Sequence, residues 1–379
     1  MSIRKLPALR TVVVKVGSAT LGDVAGGLHL PTLYSLAAQL AALKARGLRV
    51  LLVSSGAILA GRSVLKLEKK PEQLPVKQAC AAIGQIELMA RWREALAIHG
   101  LVAAQVLLTG EDLEHRGRFL NARNTLLHLL EQGCVPIINE NDTVATTEIK
   151  VGDNDRLASL TLNLVEAELL VLLSDVDGLY TRNPKQFPDA KRIFEVEGEQ
   201  NLPTLEEEDG AVGTGGMGTK LEAARRAMVA GTPAVICAGR MKEVLPRLLD
   251  GEPLGTYFKP VRRSLSRRKQ WLAFAHRPRG FIVIDEGAVK ALRERRSSLL
   301  PSGVVSVRGG FEEGDLVILE DLHGREVARG LTHFDARSLD QLKGLKTREI
   351  EARLGHRDFD EVVHRDHLVL KSGAGEVLE

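Results

Sequence analysis

The chain has 379 residues, enough for two or three domains, with 44% hydrophobic and 27% charged residues and a formal net charge of +3. That balance excludes a disordered chain, and three mutually distant cysteines (Cys80, Cys134, Cys237) exclude a disulfide framework and a CxxC metal site. Neither a signal-peptide-like run before the first strand nor an apolar stretch of ~18 residues is present, so a cytoplasmic protein with no membrane partner is expected.

In chain order, the β-branched run 10–16 predicts a buried strand. The stretch Pro31–Arg46, closed by Gly47, predicts a helix. LRVLLVSSGA then reads as a strand ending at a Ser-Ser-Gly turn. Helical patterns cover 56–66 and 75–99, LVAAQVLL (101–108) is a strand, and a helix over 112–132 leads into the strand CVPIIN. Segment 143–151 alternates like a hairpin strand. Helix 154–166 precedes ELLVLLS (168–174), the most apolar strand of all. After a charged stretch come a glycine-rich loop (213–218), helix 219–230, strand PAVICA and helix 241–250. Strands and helices alternate, and the strands are apolar on both faces. The expected fold is therefore α/β, a largely parallel central sheet covered by helices on both sides.

Charge divides the chain. Residues 259–276 (KPVRRSLSRRKQWLAFAH) hold six basic and no acidic residues, which marks a basic connector between a domain at 1–258 and one at 277–379. Past it, short segments separated by glycines (FIVIDEG, VVSVRGG, DLVILE, REVARG) predict a small, mostly β barrel. One helix at 287–296, a helical tail at 335–354 and a last strand HLVLK complete it. Residues 277–379 carry 17 basic against 19 acidic residues, too little positive charge for a dedicated nucleic-acid binder.

In an open α/β sheet, ligands bind beyond the carboxyl ends of the strands. Four predicted strands end there in polar residues: Lys15-Val16-Gly17-Ser18, Ser54-Ser55-Gly56, Asn139-Glu140-Asn141-Asp142 and Ser174-Asp175-Val176-Asp177-Gly178. Such residues also dominate ordinary turns, but four together favour a site. The loop Gly213-Thr-Gly-Gly-Met-Gly218-Thr-Lys220 ends where a helix begins, so its N–H groups suit phosphate oxygens. It meets neither GxGxxG after a strand nor GxxxxGK[ST], and a mobile surface loop remains the other reading. Lys15 at a buried strand end and Lys220 after the loop matter if the reaction is phosphoryl transfer, which needs cations to neutralise the moving group. Asp153, Asn154 and Asp155 crowd one helix start, where a single residue suffices as cap. Two His-Arg-Asp triplets (356–358 and 364–366) lack the companions of a kinase catalytic loop, and the pair His364 and His367 lacks a third metal ligand.

Taken in order, KVGSATL, LVSSGAI, RFLNARNTL, PIINENDTVATTEIKVGDND, LLSDVDGLYT and GTGGMGTKL resemble the glutamate 5-kinases, a family with the amino-acid-kinase fold. GGFEEGDLVIL and REVARG resemble a PUA domain. The resemblance implies a three-layer αβα kinase domain with a PUA-like domain behind it. It also implies ATP-dependent phosphorylation of the L-glutamate γ-carboxylate, with Mg²⁺ accompanying ATP, at the start of proline synthesis. By the same resemblance Lys15 and Lys220 stabilise the transferring phosphoryl group, and Asp155 orients them. Ser55, Asn139, Asp142 and Asn154 bind glutamate. Lys15, Ser174, Asp175 and the run Thr214, Gly215, Gly216, Met217, Gly218, Thr219 and Lys220 hold the nucleotide, and no residue is a dedicated metal ligand. Asn183 and Arg156 depart from the pattern of many relatives. Feedback inhibition by proline and assembly into a homo-oligomer are expected, as is RNA binding by the C-terminal domain no better than ~10⁻⁴ M at physiological salt. The competing readings are another amino-acid kinase, acting on aspartate, N-acetylglutamate or carbamate, and an RNA-binding protein that keeps an inert kinase fold.

Overall fold

The computed structural model describes residues 4–24, 26–114, 116–144, 153–182, 184, 186–202, 216–261, 278–346, 349, 353, 359–371 and 377–378. The expected hairpin strand at 143–151, most of the basic connector, Asn183, Thr214 and Gly215 lie wholly or largely outside the described residues. The chain divides into two compact units, Met1–Ser264 and Leu265–Glu379.

The first unit is built on β1 (Thr11–Val16), β2 (Arg49–Ser54), β3 (Ala103–Leu108), β4 (Val135–Glu140), β5 (Leu169–Ser174), β8 (Glu195–Glu197), β9 (Ala234–Ala238) and β10 (Thr256–Lys259). They form one sheet in the order β3-β4-β2-β1-β5-β9-β10-β8, parallel throughout except between β9 and β10. A separate small hairpin joins β6 (Leu179–Tyr180) and β7 (Arg192–Ile193). β8, three residues of alternating Glu and Val, is hidden in the charged stretch, and β10, four residues long, is too short to show a period.

Helices cover both faces. On one side pack α2 (Leu30–Ala45), α4 (Leu74–Ala97) and α9 (Val244–Leu249), around Val12, Val14 and Val16 of β1. On the other lie α6 (Arg116–Glu131), α7 (Asp153–Val165) and α8 (Met217–Val229), around Val13. Side chains alternate along a strand, so Lys15 shares the face of Val13 and turns toward α7 and α8. The other helices are α1 (Ser18–Leu21), α3 (Ala57–Val64) and α5 (Gly110–Glu114). Asp112 accepts hydrogen bonds from the Thr109 N–H and hydroxyl, so helix begins at Gly110, two residues before the expected start at 112. Gly56 precedes α3 with φ +115°, a conformation that only glycine adopts cheaply, and it lets β2 turn sharply into the helix.

The second unit holds β11 (Gly280–Ile284), β12 (Val304–Gly309), β13 (Leu316–Glu320), β14 (Glu326–Leu331), β15 (Leu368–Lys371) and β16 (Val377–Leu378), with α10 (Glu286–Arg295) and α11 (Ala336–Leu342). Its sheet runs β12-β11-β13-β14-β15-β16, with only β11 and β13 parallel. The small, mostly β second unit is as expected; among the described residues no pairing joins β12 to β16. One core, including Ile282, Val317, Leu319, Val327 and Leu339, holds it together. Within the expected helical tail, the described α-helix is Ala336–Leu342, capped by the Asp335 carboxylate.

Candidate active site

The carboxyl ends of β4, β2, β1 and β5 lie side by side in the sheet, and the polar residues singled out above meet there. Ser55 N–H donates to the Val16 carbonyl at 3.0 Å, which ties the exit of β2 to that of β1. From β1, Lys15 is 3% exposed, and its Nζ lies 2.5 Å from Asp155 Oδ1. From the start of α8, Lys220 is 6% exposed and its Nζ lies 3.3 Å from Asp155 Oδ2. The Thr219 hydroxyl sits 2.7 Å from the same Oδ2. Asp155 itself, in the first turn of α7, is fully buried. Three elements far apart in sequence therefore converge on one carboxylate.

The electrostatics of this centre are lopsided. Burial pushes the Lys15 ammonium below the ordinary lysine value, Asp155 pulls it back up, and Lys220 pushes it down again. Burial also acts to raise the Asp155 carboxyl, yet Lys15 and Lys220 outweigh it and hold the group below its usual range. Two buried ammonium groups thus share one buried carboxylate, leaving an excess positive charge in a region of low dielectric. A multiply charged anion is the natural complement.

Beside this centre lies a neutral network. Asn154 Nδ2 donates to Ser55 Oγ at 3.1 Å and to Asn139 Oδ1 at 2.9 Å. The Glu140 N–H donates to Asn139 Oδ1 at 2.9 Å and to Asn154 Oδ1 at 3.2 Å. Asn139 Nδ2 in turn donates to Gln85 Oε1 of α4 at 2.7 Å. Asp142 is 9% exposed, in the turn that follows β4. At the end of β5, the buried Ser174 donates to the exposed Asp175 at 3.2 Å. Gly216 caps α8, which begins at Met217, two residues before the expected start.

The structure thus gathers Lys15, Asp155, Lys220 and Thr219 into one cluster and Ser55, Asn139 and Asn154 into an adjoining one. Of the expected loop, Gly216 is the N-cap and Met217 and Gly218 are already in the first turn of α8, whereas Thr214 and Gly215 lie outside the described residues. Two participants carry no strong signal in the sequence. Gln85 sits in a helix where nothing marks a glutamine as special. Asp177 accepts from the Tyr180 hydroxyl at 2.8 Å and pairs with Arg192 at 2.9 Å. That cluster closes the turn after Ser174-Asp175, and only the DVDG motif pointed to it. His364, by contrast, serves its own turn, where its Nδ1 accepts from the Asp366 N–H at 3.2 Å.

A parallel α/β sheet whose strand ends gather two lysines around one aspartate, with a glycine-led helix start beside them, defines a phosphoryl transferase. The model of the amino acid kinase family matches residues 10–238 and that of the PUA domain residues 280–354, so the chain belongs to the amino acid kinase family and carries a PUA domain. Glutamate 5-kinase of Thermus thermophilus is 50% identical over 365 residues, covering 96% of this chain and 98% of the relative. That of Syntrophotalea carbinolica is 46% identical over 372 residues (97% and 98%), and that of Citrifermentans bemidjiense 47% over 371 (96% and 98%). Within the amino acid kinases, the chain belongs to the glutamate 5-kinases.

Proposed function

We propose that the chain transfers the γ-phosphoryl group of ATP to the γ-carboxylate of L-glutamate, yielding L-glutamyl 5-phosphate, the first step of proline biosynthesis. The observation that carries this reading is the pair of buried lysines sharing one aspartate. In phosphoryl transfer, charge spreads over the equatorial oxygens of the moving group, and the protein's work is to position and neutralise it. Lys15 and Lys220 lie one on each side of Asp155 and do both, while Asp155 fixes the two ammonium groups at their separation. A carboxylate is already a nucleophile at neutral pH, so the acceptor needs no general base.

Ser55, Asn139 and Asn154 offer neutral groups to the acceptor carboxylate. Asp142 suits the substrate's ammonium group. Ser174, Asp175 and residues 214–220 take the nucleotide. The donor set fits Mg²⁺ carried by the nucleotide: both Asp155 oxygens are taken by Lys15, Lys220 and Thr219, and the chain presents cations and hydroxyls to phosphate oxygens, the ion's natural ligands. Bound in that way, the ion offsets repulsion between the acceptor carboxylate and the phosphates.

Proline shares glutamate's α-carboxylate and amine, so we place feedback inhibition in the glutamate pocket, where proline raises the apparent KM for glutamate. The PUA domain takes no part in the chemistry and binds generic RNA only weakly. Among the described residues no helix is long and apolar enough to cross a membrane. We place the enzyme in the cytoplasm as a homo-oligomer.

The test is ADP release with hydroxylamine trapping of the acyl phosphate, run with glutamate, aspartate and N-acetylglutamate. Glutamate alone should yield hydroxamate. Equal rates with aspartate would remove the specificity, and no hydroxamate with any acceptor would remove the activity.

A further inference from the structure

The amide network beside the lysines has a direction. Asn139 Oδ1 accepts from the Glu140 N–H and from Asn154 Nδ2, so the Asn139 amide must turn its Nδ2 toward α4. There it meets Gln85 Oε1 at 2.7 Å. A flipped Gln85 would set one NH₂ group against another, so this orientation is the one the network permits. It leaves Gln85 Nε2 enclosed, with no hydrogen-bond partner among the described residues. A buried donor without a protein partner is costly and calls for an explanation, and a role at the site would supply one.

The other end of the network shows what that role is. Asn154 Nδ2 donates to Ser55 Oγ, which uses that oxygen as an acceptor and leaves the Ser55 hydroxyl proton to be given away. Along the chain Gln85, Asn139, Asn154 and Ser55, the protein's acceptors are consumed by the protein's own donors. What remains for a ligand is donor character without charge. A carboxylate is the group that such a surface receives.

We propose that Gln85 is a positioning residue for the acceptor carboxylate: by accepting from Asn139 Nδ2 it completes the orientation that the Glu140 N–H begins, and so keeps Asn154 donating to Ser55, whose hydroxyl proton is left for glutamate. The proposal rests on the assignment of glutamate to this pocket. Gln85 acts through Asn139, so its effect falls on the binding of glutamate and leaves ATP alone.

The test is steady-state ADP release by the full chain for the parent, Gln85→Met and Gln85→Glu, with thermal unfolding of each. Gln85→Met keeps the volume and loses the acceptor; the glutamate KM should rise ~10-fold or more, the scale of one lost hydrogen bond, with the ATP KM within about twofold. Gln85→Glu keeps an acceptor for Asn139 Nδ2 in either protonation state and is uncharged at the acid end, where its glutamate KM should be within about threefold of the parent while that of Gln85→Met stays raised. A role in packing alone would lower the melting temperature and leave the glutamate KM of both variants near parental. A glutamate KM within twofold of the parent in Gln85→Met, or a Gln85→Glu no better than Gln85→Met at the acid end, overturns the proposal. Should Gln85→Met fail to fold, Gln85→Ala, which also removes the acceptor, takes its place in that comparison. A parent that turns over ATP with another acceptor but not with glutamate overturns the underlying assignment and this proposal with it.

Discussion

Two aspartates, one in each unit, are both held below the ordinary carboxyl range, and the reasons differ. Asp335 is held down by the Ser338 hydroxyl, then by the backbone N–H groups of Ser338 and Arg337, at the start of α11. Asp155 is pushed up by burial and pulled down harder by two lysines. The first is a helix cap at the surface of a small β unit, where hydrogen bonds to the backbone are cheap to form. The second is a fully buried charge whose partners are themselves costly to bury. Nothing about folding requires that second arrangement, since a well-packed apolar cluster would serve stability as well. Under the proposed function, its value lies in presenting two ammonium groups to a transferring phosphoryl group.

Substitutions can break this contrast, and their expected effects run from large to small. Asp155→Ala leaves two buried lysines facing each other without a counter-charge, at a cost of about 3–5 kcal/mol in the first unit, which thermal unfolding would show together with loss of turnover. The carboxyl's folded value is depressed, so its stabilisation is present above the ordinary value of 3.8 and is lost as pH falls through the lower folded value. The parent's stability should therefore decline below that pH, and a folded Asp155→Asn variant should decline less. Lys15→Ala or Lys220→Ala keeps one partner for Asp155 and so spares folding, yet kcat should fall ~10²–10³-fold. Asp142 is proposed to meet the non-reacting end of the substrate, so Asp142→Ala should act mainly on the glutamate KM; an effect on kcat alone would move Asp142 into the chemistry. Asp335→Ala should cost only about 0.5–2 kcal/mol in the second unit and leave the kinetics untouched.

Much of this was legible in the sequence. A strand such as LLVLLS declares burial on both faces, and burial on both faces declares a parallel sheet between helices. Lys15 stood out because a lysine at the end of VVVKV has no solvent to reach. The convergence of Lys15, Asp155 and Lys220 on one point was not written in any spacing, because it depends on the order β2-β1-β5 and on which faces α7 and α8 cover; the family resemblance supplied it. β8 and β10 were missed because strands of three and four residues at the far edge of the sheet need no apolar alternation. Gln85 was missed for a different reason: its significance is the hydrogen bond to Asn139, 54 residues away, and the helix around it would look the same with any polar residue.

The central claim is that the reaction belongs wholly to the charged crevice of the first unit. Every residue assigned to it precedes the boundary at Ser264. The most direct measurement is glutamate-dependent hydroxamate formation by a chain ending at that boundary, beside the full chain and with folding checked by a cooperative thermal transition. A kcat within a few-fold of the full chain is the expected result. A truncated chain that melts cooperatively, binds ATP and forms no hydroxamate would contradict it.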